Sequence, residues 1–444
     1  MIKEITSSIS DSINQIKAIY KNDEKIIKMY ENGIKNTFLS TLQPQENGET
    51  FVITGDIPAM WLRDSAAQVR PLLLFAKNDT VIFNLIAGVI KLQMKQIQID
   101  PYANAFNNGA IGKGHQTDQT DMKPEIWERK YEIDSLCYPI QLSYLFWKTT
   151  DSTEHFNEAF ISTCLLIIDT FGVEQNHMEN SSYIFERIEE DPDRLEYETL
   201  SNNGMGNPVS YTGMTWSGFR PSDDACKYGY LIPSNMFAVV ILRYIEEIAT
   251  NVLKDKELAN QAIKLADKID EGIKKNAIIK HPKYGEIYAY EVDGNGNYLL
   301  MDDANVPSLL SIPYLGYVDF DDPIYLNTRK FLLSKDNPFY YEGKVARGIG
   351  SPHTPSNYIW HIALAIQGMT TLHEEEQKKI CELFTITDAG TDLMHEGFDV
   401  NNPCNFSRPW FSWANSMYAE FILSINDIVV KGSPLDNKKN NRRR

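Results

Sequence analysis

The sequence predicts an all-α protein, a barrel of two concentric helical layers, and three observations lead there. Apolar residues recur at intervals of three and four through most of the long stretches, as they do in amphipathic helices. Some stretches, such as 81–90 and 236–248, are apolar on nearly every face, whereas others, such as 256–275, are charged along one side. Alternating inner and outer helices have that composition. Finally, no Pro/Gly/Ser-rich linker or shift in composition divides the 444 residues. A length prior of ~100–200 residues per domain would suggest two or three domains. The unbroken helical pattern instead points to one domain over 1–435, followed by a disordered basic tail at 436–444.

The first clear stripe is Ile27, Tyr30, Ile34, Phe38 and Leu42, ended by Pro44. Further helices are expected at about 64–77, 79–98, 132–149, 151–172, 234–253, 322–334, 356–371, 373–387 and 410–430. Another stripe consists of Leu258, Ala262, Leu265, Ile269 and Ile273. Asp79, Asp151, Ser234 and Ser356 stand where N-caps belong. Two segments have β character: 183–188 alternates, and 286–290 with 298–300 flank the turn 293–297 as a hairpin. The helices do not repeat in sequence, which argues against a solenoid.

Composition narrows the function. With 43 Lys plus Arg against 60 Asp plus Glu, the formal charge is −17, a field that repels phosphate backbones, so no nucleic-acid partner is expected. The apolar runs fall far short of the ~20 residues of a membrane span, and the N-terminal stretch lacks the apolar core of a secretory signal. Five scattered cysteines without a C-x-x-C spacing argue against a disulfide framework or zinc knuckle, and cytoplasmic localisation is expected. The signatures of P-loops, dinucleotide-binding turns, nucleophile elbows and zincins are missing, and no metal or cofactor is expected. Asp293-x-Asn295-x-Asn297 opens like a calcium loop but continues with Tyr298 where that motif needs Gly, so a hairpin turn is the better reading.

Four connecting segments, 54–65, 101–129, 211–230 and 395–413, concentrate aromatic, carboxylate, amide and Arg side chains. Long loops of that chemistry are usually functional. Carboxylates beside aromatics (Asp64 after Trp61 and Arg63; Asp223 and Asp224 after Trp216 and Arg220; Glu396 and Asp399 before Trp410 and Trp413) suit glycosidic hydrolysis. That reaction needs one carboxylic acid for the leaving oxygen, a second carboxylate for water or attack, and aromatic faces for sugar C–H surfaces. Asp-rich loops can equally be caps and salt-bridged turns. Trp61, Trp216 and Trp410 are candidate stacking platforms, with a buried barrel tryptophan as the alternative. His115, Asn305 and His353 lie in polar turns and are candidate hydroxyl binders. The segment 130–139 is expected to form an inner helix from which Glu132 or Asp134 reaches the pocket or caps the helix.

The runs TGDIPAMWLRDSAAQVRPLL, GFRPSDDA, YGYLIPSNMFA, RGIGSPHTP and HEGFDVNNPCNFSRPWFSWANSMYAE closely resemble glycoside hydrolase family 125, over about 51–420. The resemblance implies an (α/α)6 barrel and a metal-independent, inverting exo-α-1,6-mannosidase acting on α-mannoside oligosaccharides. It further implies a general acid in S-D-D-A, Asp223 rather than Asp224, and a general base in H-E-G-F, Glu396. The segment WLRDS is similar to one in glucoamylase-type barrels, which would place Arg63 and Asp64 on the hydroxyls of the terminal sugar, with Arg220, Asp224 and Arg408 as further binding residues. Asp223 would be kept protonated at neutral pH by burial and a neighbouring carboxylate. An exo-hydrolase of another hexose or linkage, a phosphorylase, and a non-catalytic sugar-binding protein remain the alternatives.

Overall fold

The computed structural model describes residues 2–188 and 194–442. Six helical segments form a closed inner ring: Leu62–Val69 (prolonged by turns to Ala76), Ile133–Thr150, Ile232–Ile248, the short pair Leu309–Ser311 and Ile312–Leu315, His361–Thr370, and Ser412–Ile425. Each packs on the next, and the last packs on the first. Helices Glu24–Asn36, Thr80–Ile99, Glu158–Glu174, Lys256–Asn276, Pro323–Leu332 and Glu374–Thr387 lie outside them.

Burial follows the sequence pattern. Every residue of Leu62–Val69 is buried, including Arg63, Asp64, Ser65 and Gln68, as is nearly all of Ser412–Ile425. The outer Lys256–Asn276 buries one stripe containing all five residues expected for it, Leu258, Ala262, Leu265, Ile269 and Ile273. That stripe joins a continuous buried core that runs through the barrel from Ile9 to Leu435. Close packing of the fifth and sixth inner helices depends on Gly368, where a Cβ would lie 2.4 Å from the Phe421 ring.

Ring closure also involves the loops. The Asp56 amide donates to the Trp410 carbonyl (3.1 Å), and the Ser412 amide donates to Thr54 (3.0 Å). Gly55, at φ 134°, sits where a Cβ would collide with the Trp410 carbonyl. The loops ahead of the first and last inner helices are thereby held together.

Short strands lead into several inner helices and displace some expected boundaries. Tyr230–Leu231 precedes Ile232, so Ser234 lies inside its helix and is not the N-cap. Tyr358–Trp360 stands between Ser356 and His361–Thr370. Asp151 is the left-handed C-cap of Ile133–Thr150 (φ 63°), and Asn157 caps the following helix. Asp79 does cap Thr80–Ile99, accepting from Val81 and Ile82. The expected 286–300 hairpin divides in two: Gly285–Tyr288 pairs back with Ile278–His281, while Glu291–Val292 pairs with Tyr298–Leu299 and with Tyr230–Leu231. Its turn is held by Asp293 Oδ1 accepting from the Asn295 and Asn297 amides. The segment 183–188 forms only a bridge from Glu186 to Gln119. The tail expected to be disordered from 436 enters helix Pro434–Arg442, where Lys438 is buried and donates to the Met369 and Thr371 carbonyls. Among the described residues, no helix is long and apolar enough to cross a membrane.

Candidate active site

A pocket of about 330 Å³ opens at the end of the barrel where all six inner helices begin. Trp61, Arg63 and Asp64 come from the start of the first inner helix and Asp223 from the loop ahead of the third. Asn305 precedes the fourth, His353 and Trp360 the fifth, and Glu396, Ser407, Arg408, Phe411 and Trp413 belong to the start of the sixth. Helix N-termini present unpaired N–H groups and a partial positive charge, which favours the carboxylates gathered there.

Asp223 and Asp224 separate cleanly. The loop is pinched by a bridge between Phe219 and Ala225, and the Arg220 amide donates to the Asp224 carbonyl (2.7 Å). At its tip Asp223 adopts φ 67°, a left-handed conformation that costs energy for a non-glycine residue and is concentrated at functional sites. Its carboxyl lines the pocket and keeps 27% exposure, whereas that of Asp224 is 2% exposed and lies 2.9 Å from His353 Nδ1. Buried Lys130 fixes the loop from behind, donating to the Asp223 carbonyl at 2.7 Å.

Arg63 is a hub for carboxylates. One terminal nitrogen donates to Glu132 (2.6 Å) and Asp134 (3.2 Å), the other to Asp223 (3.3 Å), and Nε lies 3.5 Å from Asp64. The forked guanidinium therefore positions acidic groups, in addition to facing the pocket as expected. Asp64 is buried and lines the pocket, and burial raises its pKa to about 6 against the lowering effect of Arg63. The N-cap of its helix is Trp61, so the alternative in which Asp64 caps is not observed.

On the far side of the ring, Glu396 accepts from Ser407 Oγ (3.0 Å) and lies 3.6 Å from Arg408. Arg408, itself left-handed at φ 48°, is bound chiefly to Asp56 at 2.5 Å, so it does not neutralise Glu396 as a dedicated partner. Burial works against charge on His353, but Asp224 beside it, with Glu396 and Asp223, raises its pKa to about 9. It faces the pocket as an imidazolium at neutral pH.

Five sequence expectations are corrected. Asp224, expected on a sugar hydroxyl, is buried against His353 and outside the pocket lining. His115 is exposed, 3.8 Å from Glu128, and outside the pocket lining. Trp216 is buried under His177, with the rings stacked at 3.5 Å, and serves the interior. Arg220 is consumed by buried Glu291 (2.6 Å). Trp410 donates its indole N–H to Asn36 and lies outside the lining. The tryptophans that do line the pocket beside Trp61 are Trp360 and Trp413. Trp360 is the residue immediately before the fifth inner helix and Trp413 lies in the first turn of the sixth, positions that follow from helix starts the sequence does not mark.

The protonation expectation for Asp223 also reverses. Burial alone would raise its pKa, but Arg63, a hydrogen bond from Glu132, Lys130 and His353 together hold it down at about 2. Burial pushes Glu132 well above the usual carboxyl range, against Arg63 and reinforced by Asp223 and Asp134. The two carboxyls titrate as a pair, with burial favouring the proton on Glu132 and Arg63 favouring charge on Asp223.

The chain is similar to known proteins along nearly its whole length. The family model of metal-independent α-mannosidases (GH125) matches residues 23–423. The meiotically up-regulated gene 157 protein of Schizosaccharomyces pombe is 39% identical, over 95% of this chain and 86% of its own. A solved Streptococcus pneumoniae metal-independent α-mannosidase, in a non-productive complex with α-1,6-mannobiose, is 48% identical and superimposes with a TM-score of 0.92, covering 95% of this chain and 99% of that one. A bacterial glucoamylase with acarbose shares the fold at 14% identity (TM-score 0.56, 93% of this chain and 57% of that one). With the family model and both close relatives matching nearly end to end, this (α/α)6-barrel chain belongs to the GH125 family of metal-independent α-mannosidases.

Proposed function

We propose that the protein removes terminal α-D-mannose from α-1,6-linked mannosides by single displacement with inversion, with Asp223 as general acid and Glu396 as general base. The supporting observation is their place in the ring. They precede the third and sixth of six inner helices and so stand on opposite walls of one pocket. An inverting reaction needs an acid at the leaving oxygen and a base holding water on the other face of the sugar. Trp61, Trp360 and Trp413 supply apolar faces, and Asp64, Asn305 and His353 supply hydroxyl partners. A pocket of about 330 Å³ confined to one end of the barrel accommodates a chain end, which favours exo action.

The 1,6 linkage is supported by the pneumococcal relative's mannobiose complex, and fragments of N-linked glycans, the setting named for that relative, are the substrate class proposed for this chain. One catalytic domain over 1–435 is supported by the continuous core. A cytoplasmic location is consistent with five free cysteines.

Proton NMR of α-1,6-mannobiose hydrolysis should detect β-mannose before mutarotation. First appearance of α-mannose rejects inversion, and equal rates on 1,2- and 1,3-linked dimannose reject the linkage. Asp64 gives a second test. It must be ionised to accept hydroxyl protons and loses its charge as pH falls through about 6. KM is expected to rise about tenfold from its plateau to pH 5, one unit below that pKa, and to lose this dependence in Asp64→Asn. A KM that is flat in the unmodified protein removes Asp64 from sugar binding.

A further inference from the structure

We infer that Glu132 is the proton store of the reaction, a positioning residue that charges Asp223 with its proton when substrate arrives; the inference rests on Asp223 being the acid.

Its carboxyl is fully buried and is not part of the pocket wall, so it cannot reach a leaving oxygen itself. It lies against Asp223, and two donors bind both groups. Arg63 reaches Glu132 at 2.6 Å and Asp223 at 3.3 Å, and Asn104 Nδ2, whose nearest acceptor is a third carboxylate, Glu128 at 2.9 Å, reaches each at 3.4 Å. The Asn104 amide is oriented for this because its oxygen accepts from the Lys130 amide (3.1 Å).

Charge requires a proton in this cluster. The groups facing Glu132 are Arg63 from the first inner helix, Asp134 from its own, and Asp223 from the opposing loop, with Asp64 on the other edge of Arg63. One guanidinium thus faces four carboxyls. Lys130 and His353 add positive charge on the Asp223 side, but each also carries a carboxylate of its own, Glu198 at 2.9 Å and Asp224 at 2.9 Å, so the excess of carboxyls remains. Two touching carboxyls in such surroundings do not both ionise.

A bound sugar changes the balance. It covers the remaining exposure of Asp223, and a glycosidic oxygen can only accept a hydrogen bond, so the protonated form of Asp223 gains. The Glu132 carboxylate that results is held by Arg63 and by Ser135 Oγ at 2.8 Å. The proton moves from Glu132 to Asp223 and then to the leaving oxygen as the C1–O bond breaks. Water attacks C1 and gives its proton to Glu396. After product release, Glu396 loses that proton to solvent and the Glu132–Asp223 pair takes one up, so the sum is glycoside plus water giving sugar plus alcohol.

The test compares leaving groups. Departure of a sugar alcohol needs protonation, whereas departure of 2,4-dinitrophenolate does not. Glu132→Gln should lose ~100-fold or more in kcat/KM on α-1,6-mannobiose, within the range of acid catalysis. Its loss on 2,4-dinitrophenyl α-mannoside should be at least ~10-fold smaller, and Glu132→Asp should recover part of the mannobiose rate. Equal losses on both substrates, or none on either, overturn the inference. Asp223→Asn is run on the same pair. If it shows the leaving-group dependence and Glu132→Gln does not, only the role of Glu132 falls; if Asp223→Asn lacks it, the acid assignment falls first. Should the Glu132 variants fail to fold, infrared difference spectra of the slow Glu396→Gln enzyme decide. A buried protonated carboxyl band at pH 7 should shift when α-1,6-mannobiose, which keeps the glycosidic oxygen, is added, and an unmoved band overturns the inference.

Discussion

Glu396→Gln is expected to lower kcat on α-1,6-mannobiose by about 10²–10⁴-fold, the usual span for removing a general base, while the protein keeps its fold. The amide retains the shape of the carboxyl and can still accept from Ser407 Oγ. Arg408 remains bound to Asp56, so no buried charge is stranded. Thermal unfolding should therefore move little, and mannose binding should persist. Azide provides a stringent check. Without the base, a small anion on the water side can attack an activated mannosyl fluoride, displacing fluoride and giving β-mannosyl azide. An α-configured azide, or turnover within a few-fold of the unmodified protein, would remove Glu396 from the role of base.

The sequence disclosed the barrel and much of the pocket for identifiable reasons. Inner helices buried all round and outer helices buried on one stripe leave different periodicities, and 256–276 was readable residue by residue. Asp223, Glu396, Arg63 and Asp64 were legible as pocket residues because each stands in a motif that resembles family 125 or the glucoamylase-type barrels, and the structure places all four on the pocket wall. Trp216 and Arg220 share that loop chemistry but point to the interior, toward His177 and Glu291. Composition carries no direction, so sequence alone could not separate them from Trp360 and Trp413. The helix starts near 232 and 361 were misplaced because two- and three-residue strands set them through tertiary pairing, against local capping preference. The protonation of Asp223 was illegible for a similar reason. It depends on Arg63, on Glu132 and Lys130, and on His353, which converge from three separate segments.

Arg63→Met is expected to be the most damaging single change to both stability and activity. Removing one partner from a buried ionic cluster costs about 3–5 kcal/mol, because the remaining charges lose their compensation. Here four carboxyls depend on one guanidinium. They can escape part of the cost by taking up protons, which gives the loss a pH signature. Asp223 is held at about 2, below its ordinary value, so its contribution is present above about pH 4 and disappears as pH falls through 2. Asp64 and Asp134, raised to about 6 by burial even with Arg63 beside them, would titrate higher still without it. The destabilisation measured by urea unfolding should accordingly be largest near pH 7 and shrink toward pH 4.5. Arg63→Lys keeps the charge but not the fork that reaches Glu132, Asp134 and Asp223 together, so its stability should be intermediate and its activity nearly as low as that of Arg63→Met. A Met variant within ~0.5 kcal/mol of the unmodified protein at pH 7, the range of an ordinary surface substitution, would mean that the carboxyls do not rely on Arg63.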